Sequence, residues 1–164
     1  MATQATSSSP SSTSSSYDVF LSFCGGDTRK NFTDHLYTAL KQNGIITFRD
    51  DEKLERGKYF SLELLKAIEE SKYAIIVLST NYAFSKWCLI ELAKIIECMG
   101  KTKLTVLPIF YHVDPSDVRN QRGPFAEAFA EHEKNTQINT KDVQDWKAAL
   151  KDVSYISGWH VNDR

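Results

Sequence analysis

The residues best placed to do chemistry lie in Tyr73–Leu92, YAIIVLSTNYAFSKWCLIEL. Tyr73–Leu78 is an apolar run of the kind that makes a fully buried strand. Ser79-Thr80-Asn81 interrupts it as a polar loop. The chain then resumes as a helix in which Leu92, Ile95, Ile96 and Met99 recur at i, i+3, i+4 and i+7. Glu91 follows Trp87 by four residues, so carboxylate and indole project from one helix face near its start. Open α/β sheets keep their ligands at the carboxyl ends of central strands, where this pair would sit. On this stretch alone a solvated surface glutamate is the stronger reading, because charged helix residues usually face water. Such a side chain would contribute little to packing.

Other candidates are weaker. Cys24-Gly25-Gly26-Asp27-Thr28-Arg29 follows a first strand and feeds a helix, and small residues there can hold phosphate on backbone N–H groups. The spacing is neither GxGxxG nor GxxxxGK[ST], so the signal is weak and a plain tight turn is the stronger reading. Arg29 could pair with a diphosphate, or be solvated. The three cysteines, Cys24, Cys88 and Cys98, contain no CxxC pair and suit reduced thiols in an intracellular protein. The four histidines are scattered without metal-ligand spacing, so no metal site is expected. Acidic and basic residues nearly balance, at 21 and 20, which gives no electrostatic pointer to nucleic acid or membrane. No apolar run is long enough to span a bilayer.

The elements that must position these residues alternate along the chain. Met1–Ser16 is Ser-rich, with too little apolar area to fold, and is expected to be a disordered leader. Strands are expected at Tyr17–Phe23, Ile45–Phe48, Tyr73–Leu78 and Leu104–Tyr111, with a short edge strand at Trp159–Val161. Pro108 suggests an edge or an irregularity in the fourth strand. Helices are expected near Asn31–Gln42, ended by Gly44, and at Tyr59–Ser71, Pro124–Glu133 and Lys141–Tyr155. Arg49–Lys58 and His112–Arg122 read as long polar loops. Strands alternating with helices imply a parallel sheet covered on both faces through right-handed crossovers.

Several long motifs then carry a resemblance. YDVFLSFCGGDTRKNF, FRDDEKLERG, SKWCLIEL, PIFYHVDPSDVRNQRGPFAEAF and the closing SGWH resemble, in order, the motifs of the TIR domain of plant nucleotide-binding leucine-rich-repeat immune receptors. The resemblance covers Tyr17 to about Val161, leaving 162–164 as the start of a linker. It implies a flavodoxin-like three-layer α/β fold with a central parallel sheet of four to five strands. It also implies hydrolysis of NAD+ or NADP+ at the ribose–nicotinamide bond, with no cofactor beyond that substrate. By this resemblance Glu91 is the catalytic carboxylate, which reverses the surface reading above. Cys24, Gly25, Arg29, Trp87 and Arg56 fall on the substrate side, and Asp34, His35, Arg56 and Gly57 on self-association contacts. The implied partners are other TIR domains and downstream immune signalling proteins, in the cytoplasm or also the nucleus. This chain has Cys24 where the family usually has Arg, Gly26 where it has Glu, and Asp34 where it often has Ser. A non-catalytic association module is the competing reading. A phospho-receiver using Asp50 and Asp51 ranks below both, for want of a partner lysine.

A single carboxylate suits that chemistry. Glycosidases need a second carboxyl group because the leaving oxygen must be protonated. Nicotinamide leaves a cationic ring as a neutral molecule, so one carboxylate facing the oxocarbenium-like charge suffices.

Overall fold

A computed structural model of the chain describes residues 16–49 and 62–162, without the side chains of residues 29 and 30. The leader up to residue 15 lies outside the described residues, as do Asp50, Asp51, Arg56 and Gly57 of the charged loop and the last two residues. β1 (Val19–Ser22) leads into a helical run of α1 (Gly25–Thr28), a π-helical turn (Arg29–Thr33) and α2 (Asp34–Gln42). β2 (Thr47–Arg49), α3 (Leu62–Glu70) and β3 (Tyr73–Leu78) follow, then a 3₁₀ turn (Tyr82–Phe84) and α4 (Lys86–Lys101). The chain continues through β4 (Thr105–Tyr111), α5 (Pro115–Asn120), α6 (Pro124–Lys134), α7 (Thr140–Ser154) and β5 (Trp159–Val161). No helix among the described residues is long and apolar enough to cross a membrane.

The five strands are all parallel, in the order β2-β1-β3-β4-β5. This is the flavodoxin-like order, and it explains where the helices lie. From β1 the chain steps one way to β2, and afterwards always the other way. Crossovers of a single hand therefore put α2 on one face and the helices that follow β2 on the opposite face. The core is divided accordingly. Val19, Leu21, Ile75, Val77 and Ile109 meet Phe32, Leu36 and Leu40 from the α2 side. Phe20, Ala74, Ile76, Leu78, Val106 and Phe110 meet α3, α4, α6 and α7 through Leu64, Leu89, Leu92, Phe125 and Trp146. Successive strand residues alternate between the two faces, and both faces are dry, hence the continuous apolar strands.

Three sequence expectations need correction. The Cys24–Arg29 glycine segment is not a turn but is helical from Gly25, with the Cys24 carbonyl accepting from the Asp27 and Thr28 amides at 3.1 and 3.3 Å. Pro108 lies on the next-to-last strand of a regular ladder, paired with Ile76. The Thr105 amide donates toward the β3 side and the His112 amide toward β5, so the even-numbered Pro108 has its missing N–H on the β5 side. β5 pairs with β4 only from Ile109 onward, so the proline withdraws no bond from that ladder. Finally, the polar stretch His112–Arg122 contains α5. The Asp114 carboxylate caps it by accepting from the Ser116 amide at 2.8 Å, and Pro115 occupies the first turn, where it needs no N–H.

Candidate active site

The centre of the site is set by strand alternation. Ser22 shares the face of Phe20, so the last residue of β1 points a hydroxyl, not a methyl, at α4. α4 starts at a Ser85 cap whose hydroxyl accepts from the Cys88 amide at 3.2 Å. Its fully buried stripe is Cys88, Leu89, Leu92, Ile95 and Cys98, with Ile96 and Met99 only partly covered. Glu91 lies in phase with that stripe and is 0% exposed. It is thus not a surface carboxylate, and it does take part in packing. Ser22 Oγ donates to Glu91 Oε1 at 2.9 Å, and Tyr82 Oη lies 2.8 Å from Ser22 Oγ. The Tyr82 hydroxyl also donates to the Cys88 carbonyl at 3.2 Å, and the Cys88 thiol to the Phe23 carbonyl at 3.3 Å. Burial, then the neighbouring Cys88 and Glu91, push the Tyr82 phenol well above its ordinary pKa, so it keeps its proton.

This cluster occupies the topological switch point. The strand order reverses between β1 and β3, where connections leave to opposite sides, and in open sheets of this order the crevice outside those strand ends is the ligand site. The two loops leaving β1 and β3 are clamped together there. The Asp27 carboxylate accepts from Ser79 Oγ at 2.6 Å and from the Asn81 amide and Nδ2 at 2.8 Å each. The Thr28 and Thr33 hydroxyls, 2.5 Å apart and buried, tie α1 to the π-helical turn. A buried carboxylate with donors preorganised around it can oppose a cation developing beside it.

The other sequence candidates are dispersed. Cys24 and Gly25 are half-buried at the β1–α1 junction, next to the cluster. Gly26 faces open space, so a side chain there would meet nothing. Arg29 sits in the π-helical turn, its side chain outside the described ones. Trp87 parts from Glu91: it lines a cavity of about 160 Å³ with Lys86, Ile90, Gln137, Ile138 and Trp146, while Glu91 turns inward to β1. Lys86 Nζ lies 5.2 Å from the centre of the Trp87 ring. His35 is exposed on α2 beside Thr38, Ala39 and Gln42. Asp34 does not present a bare charge there, because Arg49 holds it at 2.6 Å while stacking 4.3 Å from the Tyr37 ring. Cys24, Cys88 and Cys98 are not joined in a disulfide.

Sequence reasoning missed Ser22, Asp27 and Tyr82. A serine inside the apolar run VFLSF was the available signal, since a polar residue at a core position is more informative than an exposed apolar one.

Fold and site together define an open α/β domain with a buried carboxylate at its switch point. Comparison with known proteins gives the family. The TIR domain family model matches residues 16–164, and the chain belongs to the TIR domain family. It is 56% identical over 151 residues to TMV resistance protein N of Nicotiana glutinosa, covering 92% of this chain and 13% of that protein. It is 57% identical over 147 residues to disease resistance protein RPV1 of Vitis rotundifolia, covering 90% of this chain and 10% of that protein. The chain therefore spans only a small part of the length of these resistance proteins. Among solved structures it is similar to the TIR domains in the activated Roq1 resistosome, which directly recognises the pathogen effector XopQ. The match has 53% identity and a TM-score of 0.82, and covers 88% of this chain and 87% of that one.

Proposed function

We propose that the domain acts in plant immune signalling by self-associating and hydrolysing NAD+ or NADP+ at the ribose–nicotinamide bond, with Glu91 as its catalytic carboxylate. One observation carries this reading: a fully buried glutamate held by a hydroxyl donor at the β1/β3 switch point. An ionisable group is costly to keep in a dry core, and a chain retaining one at a ligand crevice has a use for it. When the C1′–N bond breaks, its electron pair leaves with nicotinamide, which becomes neutral and needs no proton. The carboxylate opposes the charge left on the ribosyl ring and holds the ribose hydroxyls. Water adds at C1′ and releases its proton to solvent. On this reading Cys24, Gly25, Arg29 and Arg56 face the substrate.

Glu91 is closed to solvent in the single copy. Turnover therefore requires an opening above it, and assembly with other TIR domains through Asp34, His35, Arg56 and Gly57 supplies that step. The resistosome relative supports an assembled working state. The test is nicotinamide release from NAD+ and NADP+ across a wide protein concentration range. Specific activity is expected to rise with concentration. Flat specific activity removes the assembly step. Absence of release even under forced oligomerisation leaves a non-catalytic association module, the reading that Cys24 in place of the family's usual arginine favours. Cys24→Arg separates the two, since it raises turnover only in an enzyme.

A further inference from the structure

The geometry points to Ser22 and Tyr82 as positioning residues for Glu91, forming a hydroxyl relay that orients its carboxylate. This rests on the reading of Glu91 as the carboxylate that meets the ribosyl charge. The direction of the relay follows from counting protons. Ser22 has one hydroxyl hydrogen, and it goes to Glu91 Oε1 at 2.9 Å. The 2.8 Å contact between Ser22 and Tyr82 must then use the tyrosine's hydrogen. The Cys88 carbonyl, at 3.2 Å, is the longer acceptor for that same hydrogen. Protons thus point from Tyr82 to Ser22 to Glu91, each bond polarising the next. All three residues are 0% exposed, so bulk water does not replace either donor.

The relay joins three elements. Ser22 is the last residue of β1, Tyr82 opens the 3₁₀ turn after β3, and Glu91 lies on α4. The Tyr82 amide donates to the Ser79 carbonyl at 3.1 Å, and Ser79 Oγ is held by Asp27. The loop clamp on α1 therefore also fixes the phenol. Among the described residues, the titratable groups that act on the Tyr82 phenol are Cys88 on α4, Cys24 after β1 and Glu91 itself. Asp27 on α1 is turned to Ser79 and Asn81.

The experiment uses the full chain with ¹³C-labelled glutamate carboxyls, titrated by NMR without substrate and assayed in parallel for nicotinamide release. Ser22→Ala is expected to raise the Glu91 titration midpoint, because a hydrogen bond to the charged form is lost. It should lower kcat roughly 10- to 100-fold with KM changed little, the scale of one hydrogen bond to a charged group. Tyr82→Phe should move both readouts the same way by less, and Ser22→Thr, which keeps the hydroxyl, should restore them. The double variant should be no worse than Ser22→Ala, since the two hydroxyls act in series. An unchanged midpoint in folded Ser22→Ala, or losses that simply add in the double variant, overturns the relay. If Ser22→Ala does not fold, the midpoint in Tyr82→Phe decides. A wild-type domain that releases no nicotinamide removes the enzymatic reading, while the substrate-free titration still judges the relay.

Discussion

Replacing Glu91 two ways separates its chemistry from its packing. Glu91→Gln keeps the shape and an oxygen that can accept from Ser22, and removes only the charge. Swapping a buried charge for a neutral isostere is often neutral or mildly stabilising, so its stability should stay within about 1 kcal/mol of the parent. Glu91→Ala removes more, because the side chain is 0% exposed and Ser22 donates to it at 2.9 Å. Losing the buried methylene costs about 0.8 kcal/mol, and stranding the Ser22 donor about 1–3 kcal/mol. The total, about 2–4 kcal/mol, lowers Tm by roughly 5–15 °C in a domain of this size. In nicotinamide release both variants should fall at least about 100-fold, the scale of losing one preorganised charge-stabilising group, near 3 kcal/mol. Thermal melting and product chromatography on the same samples read both effects. A folded Glu91→Gln that turns over within threefold of the parent refutes the catalytic assignment. A Glu91→Gln that melts as low as Glu91→Ala refutes the packing argument.

Other outcomes follow from single contacts. Burial raises the Tyr82 pKa above 10, so its contribution to stability is complete below pH 10 and is lost as the unfolded phenol ionises first above it. Urea unfolding between pH 9 and 11 should show stability falling more steeply with pH in the parent than in Tyr82→Phe; parallel slopes would falsify this. At Gly158 an added Cβ would lie 2.2 Å from the Pro108 carbonyl oxygen, so Gly158→Ala must displace β5. A loss of about 1–3 kcal/mol in melting is expected, and an unchanged Tm would show that β5 yields freely. Asp27→Ala strips the acceptor of three bonds to Ser79 and Asn81. Hydrogen exchange at the Asn81 amide should quicken and nicotinamide release should drop, whereas protected exchange would mean that another group holds the loop. His35→Ala, on the exposed face of α2, should flatten the rise of specific activity with concentration while leaving Tm unchanged, and a fused oligomerising tag should restore it. An unaltered concentration dependence would remove His35 from the assembly contact.

Local pattern determined most of the architecture. Continuous apolar runs marked β1, β3 and β4, because strands buried on both faces carry no alternation to misread. Gly44, with φ +75, ended α2 as expected, and Trp159–Val161 forms the edge strand where the pattern put it. The motif order carried the family, since five long motifs in sequence need no coordinates to be compared. What local pattern misjudged was set by partners far along the chain. Gly25–Thr28 looks like a loop, but Asp27 reaches Ser79 and Asn81 more than fifty positions away and leaves the segment helical. Pro108 looks like an edge residue, yet parity directs its missing N–H to a level where β5 has not begun. Glu91 looks solvated, because helical spacing says which residues share a face but not what that face meets. Only the packing of α4 on the end of β1 brings Ser22 within 2.9 Å of the carboxylate, across 69 positions of sequence. The type of the catalytic candidate was legible in the chain; its burial and its hydroxyl partners follow from the sheet order, which places β1 beside β3 at the point where the strand order reverses.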